Sequence, residues 1–155
     1  MMITRALYLD MDGTIADFYG VPNWLDYLIN GDSFPYEVAK PLLNLSALAK
    51  RLNNLQRNGW KIGVISWLAK NSTPDFDSKV TDAKKVWLEK HLGSVKFDEI
   101  KIVPYGTPKS TVGTFKGGIL FDDEMPNHEE WEENGGWAFT PEKITEVLEW
   151  ARKAA

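Results

Sequence analysis

The stretch Leu7-Tyr8-Leu9-Asp10-Met11-Asp12-Gly13-Thr14 decides how the rest of this chain is read. An apolar run with the character of a buried strand stops abruptly at two carboxylates spaced by one residue, followed by a glycine and a hydroxyl. In extended backbone, residues two apart project to the same side, so Asp10 and Asp12 can enter one pocket at the strand's carboxyl end. Two carboxylates about 4 Å apart repel by about 4 kcal/mol at an effective dielectric near 20, so the pair requires a cation or a shared proton. A hard, oxygen-seeking ion such as Mg²⁺ suits that place.

Outward from this segment, short apolar runs recur at 61–66, 100–103, 118–121 and 137–139. Most are apolar on both faces, as strands of a parallel sheet covered on each side are. Helical patterns lie between them. Leu45, Leu48, Ala49, Leu52 and Leu55 form one stripe that ends at Asn58-Gly59, and Val80, Ala83, Val86 and Trp87 lead to Gly93. A last helix is expected to begin at Thr140-Pro141, with Ile144, Val147, Leu148 and Ala151 on one face. This alternation predicts an α/β fold: a three-layer, Rossmann-like sandwich around a mainly parallel five-stranded sheet, with its site beyond the carboxyl ends of the strands.

The 155 residues are read as a single domain, 1–155, with a small lid at 15–43 and no large cap domain. Apolar content is 43% and charged content 26%, which argues against disorder. A formal net charge of -4 gives no broad attraction for a polyanion, so nucleic acid is not expected as a partner. The absence of cysteine excludes disulfides, thiolate metal sites and cysteine nucleophiles. The opening Met1-Met2-Ile3-Thr4-Arg5 runs into the first strand without a signal-peptide core, and no apolar stretch is long enough to span a bilayer. A soluble cytoplasmic protein with no membrane partner is the expectation.

Three further polar positions obey the strand-end rule or lie near it. Ser66 closes Ile62-Gly63-Val64-Ile65, Asp122-Asp123 follow Gly118-Ile119-Leu120-Phe121, and Lys109 sits in the loop Tyr105-Gly106-Thr107-Pro108-Lys109-Ser110. Singly, a strand-end Asp or Ser commonly caps the next helix and a lone Lys is solvated. Together and in this order, from 6 to 127, the motifs resemble the haloacid dehalogenase (HAD) superfamily of phosphatases. In that superfamily a strand ends in DxD-G-T, a second ends in Ser or Thr, a Lys follows, and a later strand ends in an acidic pair.

The resemblance implies roles for matching positions. Asp10 would attack phosphorus and become an aspartyl-phosphate, and Asp12 would protonate the leaving oxygen and then deprotonate water. Ser66 would donate to a phosphoryl oxygen, and Lys109 would offset the charge of phosphate and nucleophile. Mg²⁺ would be held by Asp10, the main-chain carbonyl of Asp12, and either Asp122 or Asp123. Four carboxylates and a phosphate dianion form an unstable collection without cations, so both Mg²⁺ and Lys109 are expected to be indispensable. His91 and His128 receive no role, since neither has a second imidazole at ligand spacing.

On the substrate side the candidates are Gly13 and Thr14, which turn and brace the first loop, together with Phe18 and Trp67. The segment 18–36 carries Phe18, Tyr19, Trp24, Tyr27, Phe34 and Tyr36, broken by Pro22, Gly31 and Pro35. These rings can stack a flat leaving group, helped by Trp67, or they can form a miniature hydrophobic core for the lid. The run from Asp10 to Phe18 is similar to the 5'(3')-deoxyribonucleotidases of the same superfamily, which also carry Ala-Asp-Phe after the first motif. That likeness implies a (deoxy)nucleoside monophosphate or another small phosphometabolite as substrate and partner. Exposed aromatics of the lid can serve dimerisation as readily as stacking, so a monomer or a homodimer is expected. Two alternatives are a phosphatase acting on nucleic-acid 3'-ends and, from another class, a receiver-like phosphoacceptor module. Receivers place the acidic pair first and the phosphorylated Asp later, the reverse of the order here.

Overall fold

The structure is a computed structural model that describes residues 4–154. The terminal Met1-Met2-Ile3, part of the stretch read for a leader, lies outside the described residues. In chain order the first half comprises β1 (Ala6–Leu9), β2 (Ala16–Asp17), α1 (Trp24–Ile29), α2 (Phe34–Val38), β3 (Lys40–Pro41), α3 (Leu45–Arg57) and β4 (Lys61–Trp67). The second half comprises α4 (Pro74–Leu92), β5 (Glu99–Val103), β6 (Ile119–Phe121), α5 (Met125–Glu133), β7 (Trp137–Phe139) and α6 (Ile144–Lys153).

The five apolar runs become one parallel sheet in the order β5-β4-β1-β6-β7, with the DxD strand at its centre. Leu7 lies opposite Ile62 on one side and Ile119 on the other, so every residue of β1 is buried. Alternation then divides the interior into two layers. Leu7 and Leu9 share a core with the stripes of α3, α6 and the end of α4. Ala6 and Tyr8 face the opposite side, against Leu120, Ile65 and Trp131 of α5. Three layers thus form, as the alternating pattern predicts, and three of the long helices crowd one face while α5 and a loop cover the other.

Helix boundaries follow their caps. Asn44 accepts from the Ala47 N–H at 3.0 Å to start α3, and Thr73 accepts from the Phe76 N–H at 3.2 Å, one residue before Pro74 in the first turn of α4. Two expectations are corrected and one helix is added. The last helix is preceded by a 3-10 turn at Pro141–Lys143, so its α-helical part begins at Ile144. Val86 is not in the buried stripe of α4; it is 66% exposed, and the stripe runs through Val80, Ala83, Lys84, Trp87 and Leu88. Finally, α5 has no counterpart in the sequence reading, because Met-Pro-Asn-His-Glu-Glu-Trp-Glu-Glu contains a single large core residue, Trp131.

The segment between β1 and α3, read from the sequence as a lid, holds a two-stranded ribbon and two short helices. β2 and β3 pair antiparallel at its base, Ala16 opposite Pro41 and Asp17 opposite Lys40. Phe18 and Tyr36 pack with Phe76, Val80 and Ala83 of α4, and the Trp87 indole N–H donates to the Ala39 carbonyl at 2.7 Å. This half of the lid is therefore fastened to α4. The other half, α1, buries none of its residues. Among the described residues no helix is long and apolar enough to cross a membrane.

Candidate active site

All the acidic positions singled out in the sequence meet at the carboxyl edge of the sheet. The ladder carries them there: the Asp10 N–H continues β1 by donating to the Phe121 carbonyl at 3.0 Å, and the Asp122 N–H continues β6 to the Phe139 carbonyl at 3.1 Å. Asp10 and Asp122 are thereby held side by side, and Lys109 lies between them. Its ammonium is 2.8 Å from Asp10 Oδ1 and 2.7 Å from Asp122 Oδ2. Burial alone would lower the pKa of this lysine, but the two carboxylates outweigh burial and hold it above the ordinary value. The Lys109 side chain is 1% exposed, so its charge persists only because both carboxylates flank it.

Asp122 has little capacity left. Its Oδ1 accepts from the Glu124 N–H at 2.9 Å, and its Oδ2 accepts from the Asn127 amide at 3.0 Å as well as from Lys109. The His128 ring, at Nε2, bonds the Asp122 main-chain carbonyl at 2.6 Å, which gives this histidine a part in shaping the acidic loop. Asp123 is different. One oxygen from each of Asp10, Asp122 and Asp123 lies within 4.8 Å of the others, and burial, together with Asp10, pushes the Asp123 carboxyl up to about 8. A carboxyl that holds a proton near neutrality beside two further carboxylates marks negative charge left over after Lys109 is counted. An all-oxygen donor set of that kind fits a hard divalent cation.

The first loop is shaped around the same cluster. Thr14 is fully buried and donates its hydroxyl to Asp10 Oδ2 at 2.9 Å, so this residue orients Asp10. Gly13 has a φ of 81°, and a Cβ there would come within 2.2 Å of Asp123 Oδ2. Only glycine permits the loop to pass so close to the acidic pair.

Asp12 faces a partner that sequence reasoning missed. Lys84, on the buried face of α4, brings its ammonium 3.1 Å from Asp12 Oδ2, 2.6 Å from Ser66 Oγ and 2.6 Å from the Trp67 carbonyl. All three of its N–H bonds are used, and the Tyr36 ring stands 5.2 Å away. Burial raises the Asp12 pKa against the pull of Lys84, so its carboxyl favours the protonated form more than an exposed Asp does. The signal in the sequence was positional: Lys84 stands four residues after Val80 and three before Trp87, on the apolar stripe, where a solvated lysine has no place.

Above this charged floor opens a cavity of about 770 Å³, within the usual range for a small-molecule site. Its upper wall includes Tyr19, Trp24, Leu25, Leu28, Ile29 and Tyr105. Phe18 lines it too, but its ring is 3% exposed and belongs to the lid's small core with Tyr36. Trp67 forms a side wall, fixed by donation of its indole N–H to the Thr107 carbonyl at 2.8 Å. Phe18, Tyr19, Trp24 and Tyr36 all line the cavity, but Phe18 and Tyr36 are also buried in the small core against α4, with Trp24 packed beside them, whereas Tyr19 is half exposed.

The sequence matches no family profile and no curated protein. The fold, however, is shared with a solved structure, the D,D-heptose 1,7-bisphosphate phosphatase from Burkholderia thailandensis. That match has a TM-score of 0.55 at 13% identity and covers 85% of this chain and 74% of the other. At such identity the likeness is one of fold: an α/β architecture with a mainly parallel sheet flanked by helices.

Proposed function

We propose that this chain is a Mg²⁺-dependent phosphomonoesterase of the HAD type, working through an aspartyl-phosphate on a small phosphate ester. The observation that carries this reading is the convergence of Asp10, Asp12, Lys109, Asp122 and Asp123, distant in sequence, on one cavity, with the buried Ser66 bonded to the Lys84 that faces Asp12. The fold it shares with a phosphatase supports the same class of reaction.

In the first step a carboxylate oxygen of Asp10 bonds to phosphorus as the bond to the ester oxygen breaks, and Asp12 delivers a proton to that departing oxygen. In the second, Asp12 takes a proton from water as the water oxygen bonds to phosphorus, the aspartyl P–O bond breaks, and Asp10 and inorganic phosphate are released. The raised pKa of Asp12 suits the acid role. Lys84 occupies a lone pair of the buried Ser66 Oγ, so the Ser66 hydrogen is turned away from the ammonium, and donation to a phosphoryl oxygen is the role that the HAD resemblance implies for it. Lys109 offsets charge beside Asp10. Asp10, Asp123 and the Asp12 main-chain carbonyl would hold Mg²⁺, which when bound neutralises phosphoryl charge. Asp123 is the better candidate of its pair for direct contact, since both Asp122 oxygens already accept hydrogen bonds.

The upper wall, apolar and aromatic, favours a flat leaving group, and a (deoxy)nucleoside monophosphate meets that description. Phosphate release from a panel of deoxynucleoside monophosphates, sugar phosphates and a 3'-phosphorylated oligonucleotide, with Mg²⁺ present, tests the reading. The expected result is fastest turnover of the mononucleotides and none by the Asp10→Asn variant. Wild-type release no greater than that variant's overturns the catalytic reading, and preference for the oligonucleotide transfers it to nucleic-acid ends.

A further inference from the structure

Resting on the reading above, we propose that Glu130, on α5, is a positioning residue that aims Lys109 at the reacting centre. Lys109 stands in a 3-10 turn, Lys109–Thr111, whose N-cap residue, Pro108, makes no side-chain cap. A buried ammonium in such a short turn must be directed by whatever fixes the turn. Two tethers bracket it. On one side the Trp67 indole holds the Thr107 carbonyl. On the other, Glu130 receives both donors of Ser110, the residue after Lys109: the main-chain N–H reaches Oε1 at 3.0 Å and the hydroxyl bonds Oε2.

The Glu130 grip is itself braced. Asn134, one turn further along α5, donates to Glu130 Oε2 at 3.0 Å, and the Lys116 ammonium donates to the Ser110 carbonyl at 2.9 Å. The same helix holds Asp122 through Asn127 and His128. Both partners of the Lys109–Asp122 ion pair are therefore set by one nine-residue helix, and Glu130 is its link to the lysine. Glu130 touches neither Asp10 nor Asp122 and does not line the cavity, so it acts through Ser110 alone.

Glu130→Ala is expected to lower kcat roughly 10- to 100-fold, the usual cost of losing an orienting partner, with KM changed much less. Glu130→Gln is expected to stay within about threefold of wild type, because the amide oxygen still accepts from the Ser110 N–H and the amide nitrogen can donate to the hydroxyl. The double-mutant cycle adds a kinetic check, read on the residual turnover of Lys109→Met measured at high enzyme concentration: in that background Glu130→Ala should produce no further loss. A loss of the same factor in both backgrounds, or full activity of Glu130→Ala, overturns the inference. Should Glu130→Ala fail to fold, Glu130→Asp, which keeps the charge and withdraws the carboxylate by one methylene, takes its place in the cycle.

A crystal structure of the same variant separates this inference from the proposed reaction. Lys109 Nζ is expected to lose hydrogen-bond distance to Asp10 or Asp122. An unmoved lysine overturns the positioning role whether or not the chain releases phosphate, whereas a silent wild type with a displaced lysine would count against the reaction alone.

Discussion

The floor of the cavity and the lid above it are built on opposite plans. On the floor, Lys84 and Lys109 each spend their donors on named acceptors, and Asp10, Asp12 and Asp122 each receive at least one. In the lid, α1 buries nothing, and Leu25 and Ile29 are 53% and 72% exposed beside the cavity. The difference teaches a division of labour. Under the proposed reaction, groups that would meet a phosphorus centre within tenths of an ångström are fixed by several bonds each, while those that would meet a variable leaving group are left lightly held.

The comparison breaks most dramatically at its centre. Asp10→Asn is expected to reduce phosphate release by roughly 10³-fold or more while the fold persists, checked by turnover and circular dichroism. Next comes Lys84→Met, expected to lower kcat by about 100-fold and also to lower the melting temperature. Stranding a buried charge costs about 3–5 kcal/mol, but Asp12 is one-fifth exposed and can take up a proton, so the stability loss should fall below that range. Substrates whose leaving group needs no protonation, such as p-nitrophenyl phosphate, should suffer least from this variant.

A smaller effect follows from Asp123, whose carboxyl sits at about 8 instead of the ordinary 3.8. Between those values the folded protein binds more protons than the unfolded chain, so without metal its stability falls as pH rises across that window. Mg²⁺ bound as proposed would have to displace the same proton, so its affinity should rise with pH up to about 8. The rise in melting temperature on adding Mg²⁺, measured across the window, is therefore expected to grow; a flat profile would remove Asp123 from the metal site. Smallest in stability is Ile29→Ser, expected to change unfolding free energy by no more than about 0.5 kcal/mol. It should still raise KM several-fold for mononucleotides and leave kcat nearly alone, which steady-state kinetics would read.

The sheet was legible in the sequence because most of its strands are short, largely apolar runs, β5 with its Glu99 and Lys101 being the most polar, and Asp10, Ser66 and Asp122 were legible because they stand at or within one residue of the strand ends. What was hidden follows a common physical cause. α5 holds Asp122 with Asn127 and His128 and reaches the lysine loop through Glu130, so its residues are polar for reasons of contact and present no stripe. Lys84 was hidden by the same ambiguity: a lysine on a helix is ordinarily solvated, and only its register against Val80 and Trp87 betrays a buried partner. In the lid, aromatic density announced packing, but which rings turn inward depends on where α4 passes.

Gly13 and Gly31 share a left-handed backbone, with φ of 81° and 69°, and yet they should respond differently to mutation. Around Gly31 nothing lies within 4 Å of a would-be Cβ, so asparagine or aspartate can stand there at modest strain. At Gly13 the Asp123 carboxylate fills that space. A saturation library selected for activity would accordingly accept several residues at 31 and return a single letter at 13, making that position a sentinel for whether a variant chain can still assemble its acidic pair.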